Sequence, residues 1–170
     1  MESGCAAVDV CYLTSGSARA AIVIAEGPDF AAVCAEWTAE VSIQAPYSPG
    51  QFFRRELPPL RAVLAGAGRL RLIVVDGYVD LDPGGRPGLG AYVHQEFAVP
   101  VIGVAKTAFR TATHAIEVSR GGSARPLFVT AAGIPLAEAA SLVRAMAGRY
   151  RLPDALRRAD ALARGVVSSS

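Results

Sequence analysis

Short apolar runs rich in β-branched residues alternate along this chain first with turns and then with amphipathic stretches. Ala6 to Leu13, Ala18 to Ala25 and Trp37 to Ile43 read as strands, the first two joined by the turn-like run Thr14 to Ser17. Glu56 opens a predicted helix that runs to about Ala65, with Pro58 and Pro59 tolerated in its first turn. Leu70 to Asp76 has the pattern of a buried parallel strand. Gly77 to Gly88 is rich in glycine and proline and reads as a loop, followed by a helical stretch from Leu89 to Phe97. Pro100 to Ala105, Ala115 to Val118 and Pro126 to Thr130 are further strand candidates. Helices are expected near Leu136 to Ala147 and Asp154 to Ala163, the second following Pro153. Strands come first, and then strands alternate with helices. The order predicts an α/β fold whose sheet mixes antiparallel and parallel pairing.

Against this layout three acids stand out, each at the edge of an apolar run: Asp9 in AAVDVCY, Glu56 in FFRRELPPL and Asp76 in LIVVDGY. A carboxylate after β-branched strand residues is costly to desolvate unless it is paired or binds a cation. Two readings are open: a shared metal, or strand-edge acids in contact with water or arginine. Asp76 ends a parallel strand, where open α/β sheets place their ligands. If its strand adjoins that of Asp9 the carboxylates can meet, and Glu56 could complete a set of hard oxygen ligands for Mg²⁺.

Composition narrows the class. With 170 residues the chain reads as one domain, residues 1–165, with a flexible tail at 166–170. Hydrophobic residues make up 52% and charged residues 19%, which excludes a disordered chain. The apolar runs fall short of the roughly 18 residues needed to span a bilayer, so no membrane association is expected. MESGCAAVDV shows no basic stretch followed by a long apolar core, and Cys5, Cys11 and Cys34 have neither disulfide-framework nor zinc-site spacing. A cytoplasmic monomer is the expectation. The net charge of +2 does not by itself imply a nucleic-acid partner. Local arginines matter more: Arg54 and Arg55 precede Glu56, and Arg149, Arg151, Arg157, Arg158 and Arg164 crowd the C-terminal region, either as one basic face or as solvated helix faces.

The blocks AAVDVCY, PYSPGQFFRRELP, VDGY with RPGLGAYV, PVIGVAKTAF, PLFVTAAG and YRLPDALRRADALA follow one another as do the blocks of the endonuclease V family, which the chain resembles over nearly its whole length. The resemblance implies an RNase H-like mixed sheet flanked by helices. It further implies Mg²⁺-dependent hydrolysis, with Mn²⁺ able to substitute, of DNA or RNA containing deoxyinosine or inosine. The resemblance places the cut on the 3′ side of the base, in repair of deaminated adenine. Asp9, Glu56 and Asp76 match the family's metal-holding acids, Glu56 acting through water. Lys106 matches the lysine of the G-V-A-K block, a cation placed to stabilise negative charge at a scissile phosphate or to orient water.

Pro46, Tyr47, Ser48 and Pro49 correspond to the family's P-Y-I-P wedge, with serine in place of isoleucine. Two prolines stiffen such a loop, and the ring offers a stacking face. The resemblance also implies that main-chain groups near Phe52, Gly77 and Leu89 read a flipped hypoxanthine. The departures are substantial. Tyr78 and Asp82 stand where histidines are usual, and AAGIPLAEA lacks the late histidine of the family's G-H-R block. Asp80 and Asp82 either compensate with oxygen ligands or are turn residues. A nucleic-acid-binding relative with weak or lost cleavage is therefore the alternative function. His94 and His114 share no spacing with another ligand candidate and read as structural or solvated, and Cys11 reads as a small buried residue.

Overall fold

A computed structural model describes residues 3–43 and 53–166. Its centre is a seven-stranded sheet in the order β3-β2-β1-β4-β5-β7-β6. Strands β1 (Gly4–Tyr12), β2 (Ser17–Ala25) and β3 (Val33–Ser42) form an antiparallel meander. β4 (Leu70–Asp76) and β5 (Val101–Ala105) join β1 in parallel register, and β7 (Leu127–Ala132) and β6 (Ile116–Val118) close the other side antiparallel. Every strand expected from the apolar pattern is present, with β3 beginning at Val33, four residues earlier than the pattern suggested.

The period of two along the central strands sends alternate residues into two cores. Ala6, Val8, Ile73 and Val75 pack on one face with Leu57, Leu60 and Val63 of α1 (Phe53–Leu64) and Val93 of α2 (Leu89–Phe97). Cys5, Ala7, Leu72 and Val74 pack on the other with Ala139, Ala140 and Val143 of α3 (Leu136–Ala145) and Ala155, Leu156 and Ala159 of α4 (Asp154–Arg164). Both faces of β4 are thus buried, which accounts for its apolar sequence. Among the described residues no helix is long and apolar enough to cross a membrane.

One boundary differs from expectation in a way that matters for the site. Helix α1 starts at Phe53 rather than Glu56, so Pro58 and Pro59 lie in its interior. They remove the two N–H groups that would reach back to the carbonyls of Arg54 and Arg55. Packing carries the helix through this defect: Leu60 and Val63 are fully buried, and the Trp37 indole donates to the Val63 carbonyl at 3.0 Å. Residues Pro46, Tyr47, Ser48, Pro49 and Phe52, and residues 167–170 of the expected tail, lie outside the described residues.

Candidate active site

Strand pairing brings the first two acids together. Val8 pairs with Val75 across β1 and β4, so Asp9 and Asp76 are the next residues along two parallel neighbours. Glu56 approaches from α1, and the three carboxylate residues line one gap with Leu60 and Leu89. The gap has a volume of about 10 Å³, room for a single guest the size of a water or an ion. Asp9 is held in orientation by the Val10 N–H, 2.8 Å from its Oδ1.

The electrostatics are those of crowded acids. Burial, reinforced by the neighbouring Asp76 charge, raises the Asp9 pKa from 3.8 to about 7, and Asp160 adds to the rise. The Val10 N–H and Lys106 act in the opposite direction. Lys106 follows β5, and its Nζ lies 3.1 Å from Asp76 Oδ2. Burial works against the lysine charge. The combined pull of Asp76, Asp9 and Asp160 outweighs burial and raises its pKa.

Two features around β4 shape the edge of the site. Gly77 continues from Asp76 with φ of 135°, a conformation that favours glycine, and its N–H donates to the Val104 carbonyl at 2.9 Å. Gly103 lets this turn pass close by: a Cβ there would meet the Gly77 carbonyl oxygen at 2.6 Å and Thr130 Oγ1 at 2.7 Å. The same Thr130 hydroxyl accepts from the Val79 N–H at 2.8 Å, so the chain leaving Asp76 is fixed from below.

Asp160 on α4 belongs to this electrostatic cluster and was not singled out from sequence. It acts on both Asp9 and Lys106 and forms an ion pair with Arg164 at 3.2 Å. The available signal was its position next to the small-residue stripe Ala155, Ala159 and Ala163, which docks α4 on the sheet.

The residues standing in place of the expected histidines have internal roles. Tyr78 donates to the Thr107 carbonyl at 2.7 Å and packs its ring 5.9 Å from that of Phe109. Asp82 accepts the Arg86 N–H at 3.0 Å on its side chain and the Gly85 N–H on its carbonyl, which makes it a turn residue. Asp80 is raised in pKa first by burial, with Asp82 adding to the rise and His114 opposing it. The His94 Nδ1 meets the Val99 carbonyl at 2.7 Å beyond the end of α2, as a structural histidine does. Cys11 is only partly buried, unlike the expectation, because it sits near the exposed end of β1.

The donor chemistry suits a hard divalent cation: three oxygen-bearing residues face one ion-sized gap, and burial, reinforced by the Asp76 charge, raises the pKa of Asp9. Among the described residues, however, no three acid, histidine or cysteine side chains are drawn tightly enough to make a finished coordination shell. Lys106 instead supplies positive charge to Asp76. A larger cleft of about 880 Å³, lined by Glu26, Cys34, Arg69 and Arg71 among others, opens at the opposite end of β1 and β4 and contains none of these acids.

A mixed sheet of this order, with one acid inside β1 beside another that ends the parallel strand β4, defines the RNase H-like class. Residues 2–132 match the family model for endonuclease V. The chain is 35% identical over 182 aligned residues to endonuclease V of Streptomyces coelicolor, covering 94% of this chain and 77% of that protein. It is 33% identical to the Thermococcus kodakarensis endonuclease V, covering 96% and 79%. The crystal structure of the Streptomyces avermitilis endonuclease V superposes with a TM-score of 0.81 at 28% identity, covering 96% of this chain and 80% of that one. That of the Ciona intestinalis protein, in complex with a 24mer DNA containing an inosine followed by a ribo-adenosine, shares the fold with a TM-score of 0.78 at 18% identity, covering 96% and 84%. The chain belongs to the endonuclease V family, and so to the hydrolases that cut nucleic acid.

Proposed function

We propose that this protein is a metal-dependent endonuclease that recognises deoxyinosine or inosine in a nucleic-acid strand and hydrolyses a phosphodiester on the 3′ side of the base. The observation that carries the reading is the single ion-sized gap lined by Asp9, Glu56 and Asp76, with Lys106 bound to Asp76. Family membership and the inosine-containing DNA held by the Ciona relative support the substrate.

Asp9, Glu56 and Asp76 would hold Mg²⁺, or Mn²⁺ in its place, with Asp160 adding negative charge from α4. When bound, such an ion supplies activation of water and stabilisation of the leaving oxygen. Lys106 neutralises charge beside Asp76 and offers its ammonium to the phosphate as negative charge develops there. Asp9, with a pKa near neutrality, must lose its proton before it can serve as a ligand. Gly77 and Leu89 border the acids and, with Phe52, are proposed to read the displaced base. Pro46, Tyr47, Ser48 and Pro49 are proposed to wedge the strands apart.

The internal roles taken by Tyr78 and Asp82 favour a second reading, a strand-binding relative whose cleavage is weak. Incubation of deoxyinosine DNA and inosine RNA with the protein in Mg²⁺, Mn²⁺ or EDTA separates the two. The endonuclease reading requires cleavage with a divalent ion, none in EDTA, and loss of both cleavage and most metal binding in Asp76→Asn. Full cleavage by that variant overturns the site assignment. Binding without cleavage under every condition establishes the second reading.

A further inference from the structure

The arginines that crowd the C-terminal sequence divide into two groups once folded. Arg151 is a strut: its guanidinium donates to the carbonyls of Arg125, Pro126 and Lys106. Arg158 pairs with Glu36, and Arg164 with Asp160. Arg149 and Arg157 instead converge on Tyr150, their guanidinium carbons 5.1 and 4.3 Å from the ring centroid. Arg149 also donates to the Tyr150 hydroxyl at 2.9 Å, and Arg157 makes a long contact of 3.7 Å with Asp154. Tyr150 is 45% exposed, so a large aromatic residue stands open to solvent beside two cations.

The segment that carries this cluster is anchored. Arg120 is buried and donates to the carbonyls of Met146, Gly148 and Arg151, and Gly121 passes so close that a Cβ would meet the Arg151 nitrogen at 2.6 Å. Tyr150 opens onto a groove of about 630 Å³ that it shares with Lys106, Ser123, Arg151, Arg157 and Asp160. Lys106 is the residue bound to Asp76, so the groove begins at the acids.

We propose that the Arg149–Tyr150–Arg157 cluster is a stacking and phosphate-binding platform for a nucleotide of the strand that leads away from the cleavage point. The proposal rests on the endonuclease reading for the strand's position but not for its chemistry. Ring and guanidinium planes offer stacking surfaces to any base, while guanidinium N–H groups suit phosphate oxygens. An acidic peptide would use the two cations and leave the exposed ring without a matching partner. A polynucleotide offers both a phosphate for the cations and a base for the ring, and the groove shared with Lys106 leads the same strand past the acids.

The test measures fluorescence anisotropy in EDTA with nested single-stranded oligonucleotides, with and without inosine, trimmed from either end. Tyr150→Ala should weaken binding about fivefold or more on strands long enough to reach the platform. It should have no effect on strands trimmed on that one side. Tyr150→Phe, which keeps the ring, should restore affinity, and Arg157→Ala should lower the salt dependence by about one phosphate contact. A uniform loss at every length indicates a merely structural role and overturns the platform, as does no loss at any length. A parent protein that binds strands in this length-dependent way but never cleaves inosine substrates overturns the proposed activity alone. A parent that binds no strand overturns both.

Discussion

Lys106 Nζ lies 3.1 Å from Asp76 Oδ2, joining the residue after β5 to the last residue of β4 at the same end of two parallel strands. The pair is partly exposed, 38% for the lysine and 25% for the aspartate side chain, so solvent screens it and its share of folding stability is small. Its value is positional. Lys106→Ala is expected to lower the single-turnover cleavage rate about 10²-fold, the scale set by loss of one preorganised charge at a reacting oxygen. Melting temperature should stay within about 2 °C of the parent. An equal loss of stability and rate would reassign the lysine to structure.

Asp9 makes stability depend on pH in a defined direction. Its folded pKa is raised to about 7 from 3.8, so between these values the folded protein keeps a proton that the unfolded chain has released. Stability therefore falls as pH rises through this window and is lowest above it. In EDTA, Asp9→Asn should be more stable than the parent by roughly 2 kcal/mol at pH 8, and the difference should vanish near pH 4. Denaturant melts at both pH values check this. A variant no more stable at pH 8 would show that burial and the Asp76 charge do not hold the Asp9 carboxyl above its ordinary range.

Asp160 and Asp82 offer a direct contrast. Asp160 acts electrostatically on Asp9 and Lys106, whereas the Asp82 carboxylate closes its own turn on the Arg86 N–H. Asp160→Asn should raise the Mg²⁺ concentration needed for half-maximal cleavage about tenfold, the effect of a lost charge beside a cation site. Asp82→Ala should change it less than about twofold while lowering stability by about 1 kcal/mol. Metal titrations of cleavage rate decide between them, and a larger effect from Asp82 would restore it as a replacement ligand.

Tyr47 is expected to matter most where strands must be separated. Tyr47→Ala should weaken binding to an inosine-containing duplex about tenfold, and to the same lesion in a single strand by no more than about threefold. Equal losses would mean that the ring stacks on the base without parting strands.

The strands and helices were legible because apolar periodicity is a local signal, and in β1 and β4 it was strong enough to mark Asp9 and Asp76 as anomalies. The start of α1 was less legible. Pro58 and Pro59 argue for a first turn, and only the burial of Leu60 and Val63 with the Trp37 contact explains why the helix continues through them. Asp160 was hidden for a different reason: the stripe Ala155, Ala159 and Ala163 marks the docked face of α4 beside it, but only the docking itself shows that this face meets the acids.

The sequence alone determined the α/β order of elements, the placement of Asp9 within one strand and of Asp76 at the end of another, and the block pattern that resembles endonuclease V. Each of these depends on residue type and short-range spacing. Tertiary structure decided that β1 lies beside β4 with Val8 opposite Val75, that α4 delivers Asp160 to the acids, and that Arg149 and Arg157, rather than the neighbouring arginines, meet at Tyr150. Those outcomes depend on which strands pair and which helix faces dock. They are set by burial of apolar surface summed over both faces of the sheet, a quantity that no single stretch of chain contains.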